Sequence, residues 1–187
     1  METDNRHIDI TRAAMTLGLW LGLYQTIKLS LIPLSLKHPV FSLLFMAMAI
    51  GVPFIAWKLV RNFRDRQAGG VFPFIISWGL SIMTFLFATM ISSVAAYTYL
   101  RYLDNGAVIA GLDRQMEEAL AILATAPTNA AGTEDMIAEM RVFIDLLNSL
   151  TPLQATRQII GVSLSWGNIF SLIIAISTSM TKRTKDK

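Results

Sequence analysis

From Phe72 to Leu100 the chain runs 29 residues without a single charged side chain. As a helix rising ~1.5 Å per residue, such a stretch is ~44 Å long, more than the ~30 Å hydrocarbon core of a bilayer. It is far too long to be a strand or the buried helix of a small soluble core, so it predicts a membrane-spanning helix that tilts or projects beyond the lipid. Three further apolar blocks accompany it: Ala13 to Leu34, Val40 to Val60 and Ile159 to Met180. With 53% hydrophobic and 16% charged residues and a mean hydropathy of +0.51, the chain departs from soluble proteins, in which roughly a quarter of residues are charged. The expected fold is all-α: an integral membrane four-helix bundle.

Local signals set the ends of these spans. Pro33 limits the first, and Pro39 suits the opening turn of the second. Pro53, inside the second, predicts a bend near Met48 to Pro53. Before the fourth block, Thr151-Pro152-Leu153-Gln154 reads as a capping box with proline at the first helical position, so that helix is expected to start ahead of the lipid. The first block is too long for the core of a signal peptide and is preceded by mixed charges, which predicts a retained span.

Charge gives an orientation. Arg6, Arg12, Lys58, Arg61, Arg64, Arg66, Lys182, Arg183, Lys185 and Lys187 are ten of the sixteen basic residues, and all fall in the N-terminal segment, the second loop or the tail. The positive-inside rule puts those three segments in the cytoplasm. The basic balance then reflects topology and anionic lipid, and no nucleic-acid partner is expected. Residues 1–100 are read as a cytoplasmic segment with three spans, 101–158 as a periplasmic segment, and 159–187 as the fourth span with a basic cytoplasmic tail.

The segment between the third and fourth spans is expected to be an amphipathic helical hairpin. Asp113 is placed to cap one helix with Met116, Leu120 and Leu123 on its apolar side. Pro127 ends it, residues 128–132 turn, and Thr133 caps a second helix. Met136, Met140, Phe143 and Leu147 share one face of that second helix and form the candidate partner face, with packing between the two helices as the plainer reading of the methionines. Glu117-Glu118 and Glu134-Asp135 suit helix N-termini better than a calcium loop.

Catalytic chemistry has little to work with. The chain has no Cys, and its two histidines, His7 and His38, fall in loops on opposite sides. No Asp or Glu lies within a span, and no metalloprotease, nucleophile-elbow or phosphate-loop motif occurs. No catalytic residue, cofactor or metal is expected, and the chain is read as a non-enzyme. Lys28 is expected to snorkel to the interface. Gln25 and Asn168 lie deeper and are read as helix-to-helix hydrogen bonders, or as markers with Lys28 of a polar path.

Small residues recur every four positions: Ala14, Gly18, Gly22, Thr26 and Ser30 in the first span, Thr84, Ala88, Ser92 and Ala96 in the third, and Ser163, Gly167, Ser171, Ala175 and Ser179 in the fourth. Such stripes let helix backbones approach closely. Gly18, Gly22, Gln25, Ser163, Gly167, Asn168 and Ser171 are the predicted packing residues. Because Gln25 and Asn168 lie at matching depth, the first and fourth spans are expected to be antiparallel neighbours joined through that pair.

The combination of Gly18 and Gly22, the basic run Arg61 to Arg66 before Gly69-Gly70, the long span ending Tyr97-Thr98-Tyr99, the acidic Met-containing hairpin and Gly161 to Ser179 before a basic tail resembles domain-of-unknown-function family 4199 of small bacterial membrane proteins. The resemblance implies a four-span inner-membrane protein encoded near membrane glycosyltransferases, hence an accessory or scaffold partner of an enzyme of envelope glycan assembly. A small transporter or lipid-handling protein is the alternative. Membrane lipids are expected partners, and a homo-oligomer stays open.

Overall fold

The structure is a computed structural model that describes residues 10–67, 72–125 and 133–179. Six helices occur among them: α1 (Ile10–Ser35), α2 (Pro39–Gln67), α3 (Phe74–Tyr102), α4 (Ala107–Thr125), α5 (Thr133–Ser149) and α6 (Pro152–Ser179). Four of these, α1, α2, α3 and α6, are long and apolar enough to cross a membrane. The fold is an all-α helix bundle of the kind expected, with the two shorter helices between the third and fourth spans.

α3 is the central helix. It packs against α1 on one side and α6 on the other, while α2 lies chiefly on α1 and also reaches α6. Most of its buried residues are small or polar, Ser77, Ser81, Thr84, Ala88, Ser92 and Ala96 among them, with Leu80 and Phe85 the large exceptions. Other large apolar side chains, Ile75, Met90 and Val94, point outward. This inside-out arrangement suits lipid, where apolar side chains gain nothing by facing inward and close backbone packing holds helices together. Several hydroxyls are satisfied by folding back on their own helix: Ser81 Oγ donates to the Ser77 carbonyl at 2.8 Å and Thr84 Oγ1 to that of Leu80 at 2.8 Å, whereas the buried Thr89 Oγ1 finds no partner among the described residues.

α2 runs as one helix through Pro53. One turn before the proline, Tyr24 of α1 donates its hydroxyl to the Met48 carbonyl at 2.9 Å. Gly51 makes room for it, since a Cβ there would stand 2.6 Å from the Tyr24 oxygen. The capping box before α6 forms as expected: Gln154 Oε1 accepts from the Thr151 amide at 2.9 Å, and the Gln154 amide donates to Thr151 Oγ1 at 3.3 Å.

α4 begins earlier than expected. Asp113 lies inside the helix; the cap is Asp104, whose two carboxylate oxygens accept the Val108 amide at 3.1 Å. The chain leaves α3 through Asn105 and Gly106, both at positive φ, 47° and 81°. Asn and Gly tolerate that left-handed geometry, so α4 restarts within four residues of the end of α3.

Candidate functional site

The predicted packing residues fall in two separate seams. Gly18 and Gly22 bring α1 against α3: a Cβ on Gly18 would lie 2.5 Å from Phe87 Cβ, and one on Gly22 would lie 3.0 Å from Ile91 Cβ and 3.1 Å from the Ala88 carbonyl. Gly167 does the same for α6, where a Cβ would meet Phe85 at 3.1 Å, and Ser171 is fully buried beside it, its Oγ donating to the Gly167 carbonyl at 2.7 Å. Ser163 is half-buried.

The expected pairing of the first and fourth spans is not what forms. α3 stands between α1 and α6, so Gln25 meets Ser92 of α3, whose hydroxyl donates to Gln25 Oε1 at 3.1 Å, and Asn168 is exposed on α6. Equal depth places two groups in one layer of the bundle without making them neighbours. The Gln25–Ser92 bond is expected to couple by about 0.6 kcal/mol, typical of hydrogen bonds between spans. A double-mutant cycle of Gln25→Leu and Ser92→Ala, read by equilibrium unfolding in detergent, checks it; additivity of the two changes would contradict it.

Lys28 lies half-buried with its Nζ 5.8 Å from the centroid of the Phe45 ring on α2. Gln25, Lys28 and Asn168 therefore face α3, α2 and the bundle exterior respectively, and do not share one polar path.

At the opposite end of the bundle, the charge pattern places Arg64 in the second loop. It belongs instead to the last turns of α2 and is 6% exposed. Its Nη1 donates to the Thr178 carbonyl of α6 at 2.6 Å, and its Nε and Nη2 lie 2.9 and 2.8 Å from Asp65 Oδ1. The Thr178 hydroxyl also bonds Ser77 of α3, so α2, α3 and α6 are tied at one point. Arg61 stacks over Trp57, 5.0 Å from its centroid.

The features that can meet another molecule gather at the end where α1, α3 and α4 converge. α5 rests on α4, and Asn148 Nδ2 donates to Asp113 Oδ1 at 3.3 Å between them. Because α4 is the helix α5 touches, the half-buried Ile137, Met140 and Ile144, in register with Asn148, mark the face turned towards it. The structure thus divides the predicted partner face: Met136 and Phe143 are exposed, Met140 is on the inner side, and the side chain of Leu147 lies outside the described residues. Val142 and Leu146, not singled out by the sequence pattern, join Phe143 on the open side. A cavity of about 650 Å³ opens nearby, between the C-terminal turn of α1, the end of α3 and the first half of α4. Leu36 covers Gly111 at its edge, where a Cβ would stand 2.6 Å from Leu36 Cδ1.

Among the described residues no three His, Asp or Glu side chains group to hold a metal ion. Four apolar spans around a small-residue core define a multi-pass helical membrane protein. The chain belongs to the family described as "Protein of unknown function (DUF4199)", whose pattern matches residues 13–178. No curated protein and no solved structure matches it significantly.

Proposed function

We propose that the protein is a non-catalytic accessory subunit of a membrane complex, binding a second membrane protein through the open face of α5. One observation carries the reading: among the described residues α5 packs on α4 alone, and Val142, Phe143 and Leu146 are left 69%, 50% and 54% exposed. Scattered apolar residues are ordinary on a surface, but a contiguous group on a helix outside the spans marks a contact site. The family resemblance adds the class of partner, an enzyme of envelope glycan assembly. In this reading the basic end and both termini face the cytoplasm of a bacterium, the protein sits in the inner membrane, and α4 and α5 form an amphipathic hairpin in the periplasm, as the distribution of Lys and Arg supports.

The test is crosslinking in native membranes followed by co-purification in mild detergent. Phe143→Asp is expected to reduce recovery of a membrane-enzyme partner at least tenfold while the four spans still insert, because the span sequences are unchanged. Unchanged recovery refutes docking through α5. So does quenching of a Phe143→Trp variant by brominated lipid, which would make the bilayer surface the cover for this face, and so does recovery of a second copy of this chain alone. Conversion of a lipid-linked sugar by the purified protein would refute the non-catalytic part. The lipid-handling alternative draws its support from the cavity beside α4.

A further inference from the structure

We propose that the cavity between α1, α3 and α4 binds the phosphate headgroup of a lipid whose acyl chains lie along the adjoining spans. Its position sets the class of ligand. It lies where the apolar helices end: Tyr99 lines it three residues before the last residue of α3, and Lys37 lines it two residues after the last residue of α1. That is the level of the headgroups for helices of this length.

Its chemistry is divided as an amphiphile requires. Lys37 and Arg114 bring two exposed cations to the cavity from different elements, the α1–α2 connection and α4, and neither makes an ion pair among the described residues. The one acid in the lining, Asp104, is buried and committed to the Val108 amide at the start of α4, so the open groups are cationic. Beside them, Leu34 and Leu103 line the cavity and are themselves exposed, offering apolar surface to the upper part of an acyl chain. A guanidinium and an ammonium suit phosphate oxygens: the first donates a planar fork of N–H groups and the second a compact charge. About 650 Å³ accommodates a phosphoglycerol group with room for the first methylenes.

The site is independent of the α5 face. Loss of partner recovery in Phe143→Asp leaves it untouched, and its own failure leaves the α5 reading standing.

Full-length protein in nanodiscs of phosphatidylcholine containing a minority of phosphatidic acid, examined by native mass spectrometry after release, reads the lipids retained. Wild-type protein is expected to retain phosphatidic acid over phosphatidylcholine. The double variant Lys37→Gln, Arg114→Gln should lower that retention about tenfold, since two charge-assisted contacts are lost. Arg141→Gln, on α5 and outside the cavity lining, should leave retention unchanged. Ala110→Trp fills the cavity without altering charge and should also lower retention. Equal retention of the two lipids by the wild type, undiminished retention in the double variant, or undiminished retention in Ala110→Trp overturns the proposal. Displacement of the lipid by millimolar glycerol phosphate also overturns it, making this a site for a soluble anion.

Discussion

Gly18→Leu is expected to cost the bundle about 3 kcal/mol or more in equilibrium unfolding from mild detergent, the upper range for forcing bulk into a packed core. The reason lies in which atoms would be struck. A Cβ at position 18 would stand 2.5 Å from Phe87 Cβ and 3.1 Å from the Thr84 carbonyl oxygen, both held by the α3 backbone. No side-chain rotation relieves contacts of that kind, so α1 and α3 must separate along their seam. Gly18→Ala should already destabilise, and Gly22→Leu should act in the same direction, because its Cβ would meet the Ala88 backbone. Gly79 and Gly161 provide the control: both are helical and a Cβ on either meets nothing within 4 Å. Alanine at those positions should be neutral or stabilise by roughly 0.5–1 kcal/mol, the ordinary helical preference for Ala over Gly. If Gly18→Ala unfolds no more readily than Gly161→Ala, the close α1–α3 seam is wrong.

The same seam shows what could be read from the chain and what could not. That Gly18, Gly22, Gly167 and Ser171 pack was legible, because a repeat of small residues along an apolar helix has few other uses. Which helix each would meet was not, since a stripe specifies closeness without naming the neighbour. The small residues of α3 did not mark it as central: at about 100° per residue Ser77, Ser81, Ala88 and Ser92 fall on one face, yet α3 separates α1 from α6. The start of α4 did have a local signal: Asp104-Asn105-Gly106 combines a capping acid with the two residues that best accept positive φ. Asp113 competes with it as a cap, because its own downstream apolar spacing fits a helix equally well. The lining of the cavity was beyond the sequence, because Lys37 and Arg114 lie far apart in the chain and meet only after α4 folds back beside α1.

Arg64 is legible in the sequence as a basic loop charge, but not as a buried one. It stands among Lys58, Arg61 and Arg66, and counting basic residues treats all four alike. The fold separates them by giving Arg64 a task at the C-terminus of α6. Thr178 lies one residue before the last described residue of that helix, and its carbonyl accepts from the Arg64 guanidinium. The guanidinium supplies a donor at 2.6 Å and places positive charge where the helix dipole favours it. Arg64→Ala is therefore expected to destabilise by about 1.5–3 kcal/mol, the usual worth of a buried hydrogen bond from a charged group. Arg64→Lys should recover only part of this, because an ammonium cannot reach Thr178 while also bringing two nitrogens to Asp65 Oδ1, as the guanidinium does. Arg64→Met is the sharper variant. It removes the cost of burying a charge, which in other settings makes such replacements harmless, but here it leaves the Thr178 carbonyl without its donor. Arg64→Met should thus unfold more readily than wild type, and Asp65→Asn, at a partly exposed position, should lose less than about 1 kcal/mol. Denaturation measured on these four variants in one detergent decides the matter: an Arg64→Met protein as stable as wild type would show that the guanidinium fills space at the foot of α6 and does not cap it.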